Sequence, residues 1–229
     1  MPLPFLAVAA LVGLLVGAGA AGAAAAVAMW PTEKGKSLLL MGPEASGKTT
    51  LRSFLTDGTI PKEYFATAGM QKAVPKDDVK LKGLTLKIDE IWDPAGDRDA
   101  IGTWHEKAQQ VDVLVYLVNF AEASDPDYVA RVRRDTGQLR DWSRRNELKG
   151  GSRTVLVVSH LDHHEAFKGG VNSATAAHAA RVTREAPAVR AACEELGPKY
   201  NLVAGSLIDE SACADLAARL LSALQEEAA

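Results

Sequence analysis

Gly42-Pro43-Glu44-Ala45-Ser46-Gly47-Lys48-Thr49 is the stretch whose reading decides the fold of this chain. The apolar run Ser37-Leu38-Leu39-Leu40-Met41 precedes it, and Thr50-Leu51-Arg52-Ser53-Phe54-Leu55, which reads as a helix, follows it. Strand, glycine-bounded loop, Lys-Thr and helix in that order form the context of a phosphate-binding P-loop. A chance match in a Gly- and Ala-rich chain would not bring both flanks with it. Glycines let the backbone curl, so that the N–H groups from Gly42 through Glu44, Ala45, Ser46 and Gly47 to Thr50 point into one concavity. The helix that follows turns its positive end toward the phosphates. Lys48 supplies a point charge for the β- and γ-phosphates, and the Thr49 hydroxyl is placed to ligate Mg²⁺. The chain is therefore expected to bind a nucleoside triphosphate.

Outward from this loop, apolar strands alternate with helical segments. Lys80 to Ile88 alternates like one half-buried strand, and Glu90-Ile91-Trp92 leads into Asp93-Pro94-Ala95-Gly96-Asp97. Val111 to Val118 and Thr154 to Val158 are nearly continuous apolar runs, as in buried parallel strands. Residues 126 to 148 read as a long helix; 174 to 196 is helical with Pro187 kinking, breaking or restarting it; Tyr200 to Ala204 is a last short strand, and 212 to 227 a closing helix. The pattern predicts an α/β fold, a P-loop NTPase with a mostly parallel sheet flanked by helices. Ligands of such sheets bind beyond the carboxyl ends of the strands.

The other candidate residues fall at those ends. Asp93 is placed to hold Mg²⁺ directly or through water, and Gly96, three residues on, to offer its N–H to a γ-phosphate without a side chain in the way. Alone, this DxxG is a plain turn; behind a P-loop and a strand it gains meaning. Asp162, in Ser159-His160-Leu161-Asp162, would accept two hydrogen bonds from the N1–H and N2–H₂ edge of guanine, a donor pair that adenine lacks. A turn carboxylate is the alternative. Gly205-Ser206-Leu207 would present backbone N–H groups to the guanine carbonyl, so Ser206 and Leu207 join the expected nucleotide-binding residues.

The chain has 229 residues, a net charge of −3 and two cysteines, Cys193 and Cys213, with no metal-ligand spacing. No direct partnership with nucleic acid is expected from that charge. Residues 1 to 32 carry no ionisable side chain. That length exceeds the roughly 20 apolar residues that cross a bilayer, so residues 1–32 are expected to be a transmembrane anchor and residues 33–229 the P-loop domain. Trp30 would sit at an interface, and Lys34 and Lys36 would keep the domain on the cytoplasmic side. A cleaved secretory signal is the alternative, against which stand the missing basic n-region and the length of the apolar stretch. Gly13-Leu14-Leu15-Val16-Gly17 would allow a homodimer through close helix approach; low-information composition explains it equally well.

Two further clusters have ordinary alternatives. His160, His163 and His164 with Asp162 and Glu165 include zinc-ligand types, but a solvated loop explains them without a ligand-spacing motif. The basic residues from Arg131 to Arg153 would suit anionic lipid or an acidic partner, or form a solvated helix face.

In its order of motifs the chain resembles the Ras-like small GTPases, and within them the Arf-like branch. The similarity is clearest in Trp92-Asp93-Pro94-Ala95-Gly96-Asp97-Arg98, in Trp104 and in the strand Asp112 to Val118, and covers residues 35 to 226. An uncharged helix ahead of such a domain is similar in layout to the β subunits of signal-recognition-particle receptors. The resemblance implies GTP and GDP as ligands with Mg²⁺, a membrane-bound switch that recruits a protein partner through its switch regions, and GTP hydrolysis. It implies Lys48, Thr67 and Asp97 as catalytic positions and Thr49, Thr67 and Asp93 as the metal's neighbours. Thr67 is equally readable as an ordinary loop threonine.

The chain departs from the family pattern at three places. Asp97 stands where the family has its catalytic glutamine, which implies slow intrinsic hydrolysis unless a partner contributes a residue such as an arginine. Ser159-His160-Leu161-Asp162 replaces Asn-Lys-x-Asp, so the asparagine's bridging amide and the lysine's apolar stem over the base are expected to be missing. Pro94 and Ala95 stiffen the turn before Gly96. A constitutively GTP-bound scaffold without hydrolysis, and an ATP-using P-loop enzyme, are the alternative functions.

Overall fold

The computed structural model describes residues 35–61, 69–81, 84–96, 100–171, 175–198 and 200–225. Thr67, Asp97 and residues 1–32 lie outside them. Among the described residues, no helix is long and apolar enough to cross a membrane.

The strands are β1 (Lys36–Met41), β2 (Met70–Ala73), β3 (Val79–Leu81), β4 (Leu84–Leu86), β5 (Ile88–Pro94), β6 (Val113–Asn119), β7 (Arg153–Ser159) and β8 (Asn201–Ala204). The helices are α1 (Lys48–Asp57), α2 (Ile101–Ala108), α3 (Pro126–Arg144), α4 (Ala176–Glu185), α5 (Pro187–Leu196) and α6 (Glu210–Gln225). Six strands form one sheet in the order β2-β5-β1-β6-β7-β8. Only β2 runs antiparallel to its neighbour β5; the other pairings are parallel. β1 thus has β5 on one side and β6 on the other, and the loop after β1 opens at the switch point where such sheets hold ligands.

The continuous apolar runs follow from burial on both faces. Leu38 and Leu40 of β1, with Val113, Val115 and Leu117 of β6, pack against Leu51, Phe54 and Leu55 of α1 and Leu216, Leu220 and Leu224 of α6. The alternate residues Leu39, Met41, Leu114, Tyr116 and Val118 face the opposite core, with Trp104 of α2, Val132 and Leu139 of α3 and Val189 of α5. Because side chains alternate along a strand, a sheet covered on both sides needs apolar residues at every position.

One expectation is corrected in detail, and one open alternative is decided. Lys80 to Ile88 is not one strand: β3 and β4 pair with each other as a separate two-stranded sheet, and β5 begins at Ile88. Pro75 lies between β2 and β3, where its missing N–H suits a break in pairing. Pro187 resolves as a helix start: α4 ends at Glu185, and Pro187 is the first residue of α5, where its missing N–H costs no hydrogen bond. The alternation also gave no sign of β2 or of α2, both short.

The basic stretch from Arg131 to Arg153 is largely paired within the molecule. Arg133 meets Glu194 at 3.1 Å, Arg140 meets Asp141 at 3.0 Å and also Glu195, and Arg145 meets Glu147 at 3.1 Å. Lys149 meets Asp112 at 2.5 Å. Much of the stretch is therefore spent on intramolecular pairs, which an acidic partner would have to displace.

Candidate functional site

Every carboxyl end of a parallel strand delivers part of one groove. After β1 the backbone takes positive φ at Gly42 (136°), Ala45 (55°) and Gly47 (89°). Such reversals turn consecutive N–H groups to one side, which makes an anion-binding nest. Gly47 then caps α1, and Lys48 and Thr49 open that helix.

Lys48 is 6% exposed, and its Nζ donates to the carbonyls of Gly42 (2.9 Å) and Pro43 (2.8 Å). The ammonium is thus folded back over its own loop. Burial lowers its pKa to about 8, against the opposing pull of Asp93 and Glu44. A poorly solvated cation with backbone N–H groups around it is a strong attractor for a polyphosphate. Glu44 and Ala45 are exposed at the rim of the loop, whereas Ser46 is fully buried. Its Oγ has no hydrogen-bond partner among the described residues. Thr50 lies half-buried in the first turn of α1.

β5 brings the second set of residues. Asp93 is fully buried; its Oδ2 accepts from Thr49 Oγ1 at 2.9 Å and lies 3.3 Å from Arg52 Nη1. A hydroxyl and a carboxylate side by side offer hard oxygen donors to a small cation. Gly96 presses against the phosphate loop: a Cβ there would lie 2.5 Å from Lys48 Nζ and 2.7 Å from Glu44 N. Only glycine permits that approach. Ala95 is held on both sides, its N–H donating to Gly69 O (2.8 Å) and its carbonyl accepting from Trp104 Nε1 (3.3 Å).

β7 and β8 bring the third. The Asp162 N–H donates to Ser206 Oγ at 3.0 Å, and Leu161 N–H donates to Gly205 O at 3.2 Å, which ties the two loops together. The Asp162 side chain is 12% exposed, and its Oδ1 is buried with no hydrogen-bond partner among the described residues. A buried carboxylate oxygen in this state invites a donor. Leu207 is buried.

The bridging amide is absent from the loop after β7, and a hydroxyl reaches the loop after β1 from the same position. Ser159 is fully buried, and its hydroxyl lies 2.8 Å from Ser46 O. A shorter side chain makes a bridge in place of the missing amide. Neither Thr67 nor Asp97 can be placed, since both lie outside the described residues. Among the described residues, no group of three or more His, Cys, Asp and Glu side chains is placed to hold a metal ion.

Sequence reasoning missed a supporting layer. Asn119 ends β6, and its Nδ2 donates to Ala45 O at 3.3 Å, a second tether on the phosphate loop. Behind it, Asp135 of α3 is 1% exposed and accepts from Tyr116 Oη (3.1 Å) and Arg131 Nε (2.7 Å). Burial pushes the Asp135 carboxyl up in pKa, with the Arg131 hydrogen bond opposing. Arg131 also lies 5.9 Å from the Trp104 ring centroid. The signal available was a polar residue inside an apolar strand (Tyr116) and an Arg–Asp pair four apart on one helix.

Comparisons with known proteins agree with this geometry. The model of the ADP-ribosylation factor family matches residues 24–197. No curated protein sequence matches the chain. Among solved structures, the Arl6 (BBS3) small GTPase from Trypanosoma brucei, determined with the bound nucleotide analogue GppNp, superposes with a TM-score of 0.55 at 15% identity. That match covers 86% of this chain and 100% of the other, and at such identity it speaks for the fold. A phosphate loop at the sheet's switch point, a buried Asp and close-packed Gly after β5, and a family match over most of the length lead to one conclusion: this chain belongs to the ADP-ribosylation factor family of Ras-like small GTPases.

Proposed function

We propose that the protein is a membrane-anchored GTP-binding switch whose hydrolysis is slow alone and assisted by a partner. The observation that carries this reading is the meeting of Lys48, Gly96 and the Thr49–Asp93 pair at one point of the groove. Lys48 would leave the Gly42 and Pro43 carbonyls for the β- and γ-phosphates, and the backbone nest would hold the remaining oxygens. Thr49 and Asp93 fit Mg²⁺, which when bound would neutralise charge on the phosphates. Gly96 would offer its N–H to the γ-phosphate, so the segment after β5 would respond to the third phosphate. Asp162 would read the guanine edge, and the Ser206–Leu207 backbone its carbonyl.

Thr67 would complete the triphosphate state, and Asp97 would orient water poorly, since a carboxylate beside the γ-phosphate adds repulsion. Residues 1–32 would hold the domain at the cytoplasmic face of a membrane. A protein partner would meet the strand that carries Trp92, whose ring has Lys107 Nζ 3.7 Å and Lys72 Nζ 5.1 Å from its centroid.

A constitutively GTP-bound scaffold is the second reading, favoured by Asp97 directly after Gly96. Single-turnover hydrolysis with and without cell extract separates the two: phosphate release in either condition supports the switch, and none in both supports the scaffold. Competition between GTP and ATP for the purified protein tests the base assignment, and preference for ATP would overturn it.

A further inference from the structure

One guanidinium stands beside the oxygens that fit the metal. We propose that Arg52 is the internal counter-ion of Asp93: it holds the carboxylate in the metal-free protein, gives way when a divalent cation enters, and passes the exchange on to the edge strand β2. The inference rests on the nucleotide reading above and concerns how much metal that site requires.

Thr49 and Arg52 are three residues apart on α1, so their side chains leave the helix on one face. Both reach the same atom of β5. Asp93 Oδ2 accepts from Thr49 Oγ1 at 2.9 Å and lies 3.3 Å from Arg52 Nη1. The Asp93 side chain is fully buried, and that of Arg52 is 16% exposed. A buried carboxylate without a counter-charge is strongly destabilising, and the guanidinium supplies that charge. Lys48 also attracts Asp93, but its ammonium is bonded to the carbonyls of Gly42 and Pro43.

A divalent cation held by Thr49 and Asp93 would meet a fixed positive charge at the same oxygen. Repulsion between the two cations is weakly screened where water is largely excluded. Arg52 therefore raises the metal concentration that the site needs, and its guanidinium is the group that must turn away. Arginine stays charged throughout the physiological pH range, so loss of a proton does not relieve the competition.

The same nitrogen carries a second link. Arg52 Nη1 also donates to Gln71 Oε1. Gln71 lies directly opposite Asp93 in the β2–β5 ladder. β2 is an edge strand of four residues, with Gln71 and Lys72 exposed, so few buried contacts hold it. Its other ties are the Lys72–Glu90 pair at 2.7 Å and, just before the strand, the bond from Ala95 N–H to Gly69 O at 2.8 Å. A guanidinium that turns from Asp93 draws the same nitrogen away from Gln71, and β2 loosens beside the turn that leads to Gly96.

Titration of Mg²⁺ into the full-length protein loaded with GDP tests the proposal. The two readouts are the Mg²⁺ concentration that half-maximally slows GDP release and the hydrogen exchange of the β2 amides. In Arg52→Met the half-maximal concentration should fall at least about fivefold, because the competing charge is gone. Arg52→Lys keeps the charge and should stay within about twofold of wild type. In wild type the β2 amides should exchange faster once Mg²⁺ is added, and Gln71→Leu should abolish that response while leaving the half-maximal concentration within about twofold. An unchanged half-maximal concentration in Arg52→Met, or an equal fall in Arg52→Lys, would overturn the counter-ion; wild-type β2 exchange that stays constant or slows would overturn the link to the strand. Should Arg52→Met fail to fold, Arg52→Gln takes its place under the same criteria. Wild-type protein that releases GDP at a rate independent of Mg²⁺ also overturns the counter-ion, whereas wild-type protein that binds no GDP overturns the nucleotide reading itself.

Discussion

The two ends of the groove, the one proposed for phosphate and the one proposed for the base, are built from different materials. At the phosphate end the backbone does the work: positive φ at Gly42, Ala45 and Gly47 aims the N–H groups, and one side chain, Lys48, adds charge. At the base end side chains do it: Ser159, His160, Asp162 and Ser206 set the shape through bonds to one another and to the phosphate loop. Backbone geometry of this kind tolerates little substitution, because a Cβ at Gly96 meets the loop itself. A side-chain arrangement can be remade with other residues, and here a serine hydroxyl spans to Ser46 O in place of the family's amide. On the proposed reading, the ligand's charged part would be held by a conformation and its flat part by a composition.

The largest effect should come from Lys48→Ala. It removes the charge and both carbonyl contacts, and nucleotide affinity measured by calorimetry should fall at least about a hundredfold. A loss under tenfold would mean that the backbone nest alone suffices. Next, Gly96→Ala forces a methyl group against Lys48 Nζ and Glu44 N, and should destabilise the ligand-free protein by about 1–3 kcal/mol in denaturant titration. An unchanged midpoint would show that the segment after β5 yields freely.

At the base end, Asp162→Asn should shift preference from GTP toward xanthosine triphosphate by at least about tenfold in competition binding, with phosphate contacts unaffected. An unchanged preference would place the base elsewhere. In the supporting layer, Tyr116→Phe deprives the buried Asp135 of one donor. It should cost about 1 kcal/mol of stability, with nucleotide selectivity unchanged.

The smallest effect is one of pH. Lys48 titrates at about 8 in the folded protein, below its ordinary value. Between these values the unfolded chain binds more protons, so this residue makes the ligand-free protein more stable as pH rises through that window. Phosphate binding runs the other way, because it needs the ammonium. Nucleotide binding at about pH 9 should therefore take up protons, read as a buffer-dependent heat, and Lys48→Met should abolish the difference.

Much of the fold was legible beforehand because it depends on local pattern. A run such as Val113 to Val118, apolar but for the Tyr116 hydroxyl, announces a strand buried on both faces, and Gly-Lys-Thr between strand and helix announces a phosphate loop. The break between β3 and β5 was not legible, since alternation from Lys80 to Ile88 continues across it. The base end was half legible. Asp162 and Ser206 could be found by their places after strands, but the bond between them, and the role of Ser159 as a bridge, join residues far apart in the chain.

By itself the sequence determined the order of the long strands and helices and the glycine-bounded loop ahead of Lys48, because each of these is written in residues close together along the chain. The tertiary structure alone decided that Asn119 tethers Ala45, that Tyr116 and Arg131 hold Asp135 behind the site, and that His160 lies over Gly47. The physical reason is that a hydrogen bond or a packed contact depends on where parallel strands come to rest beside one another, and that register belongs to the whole sheet rather than to any one segment.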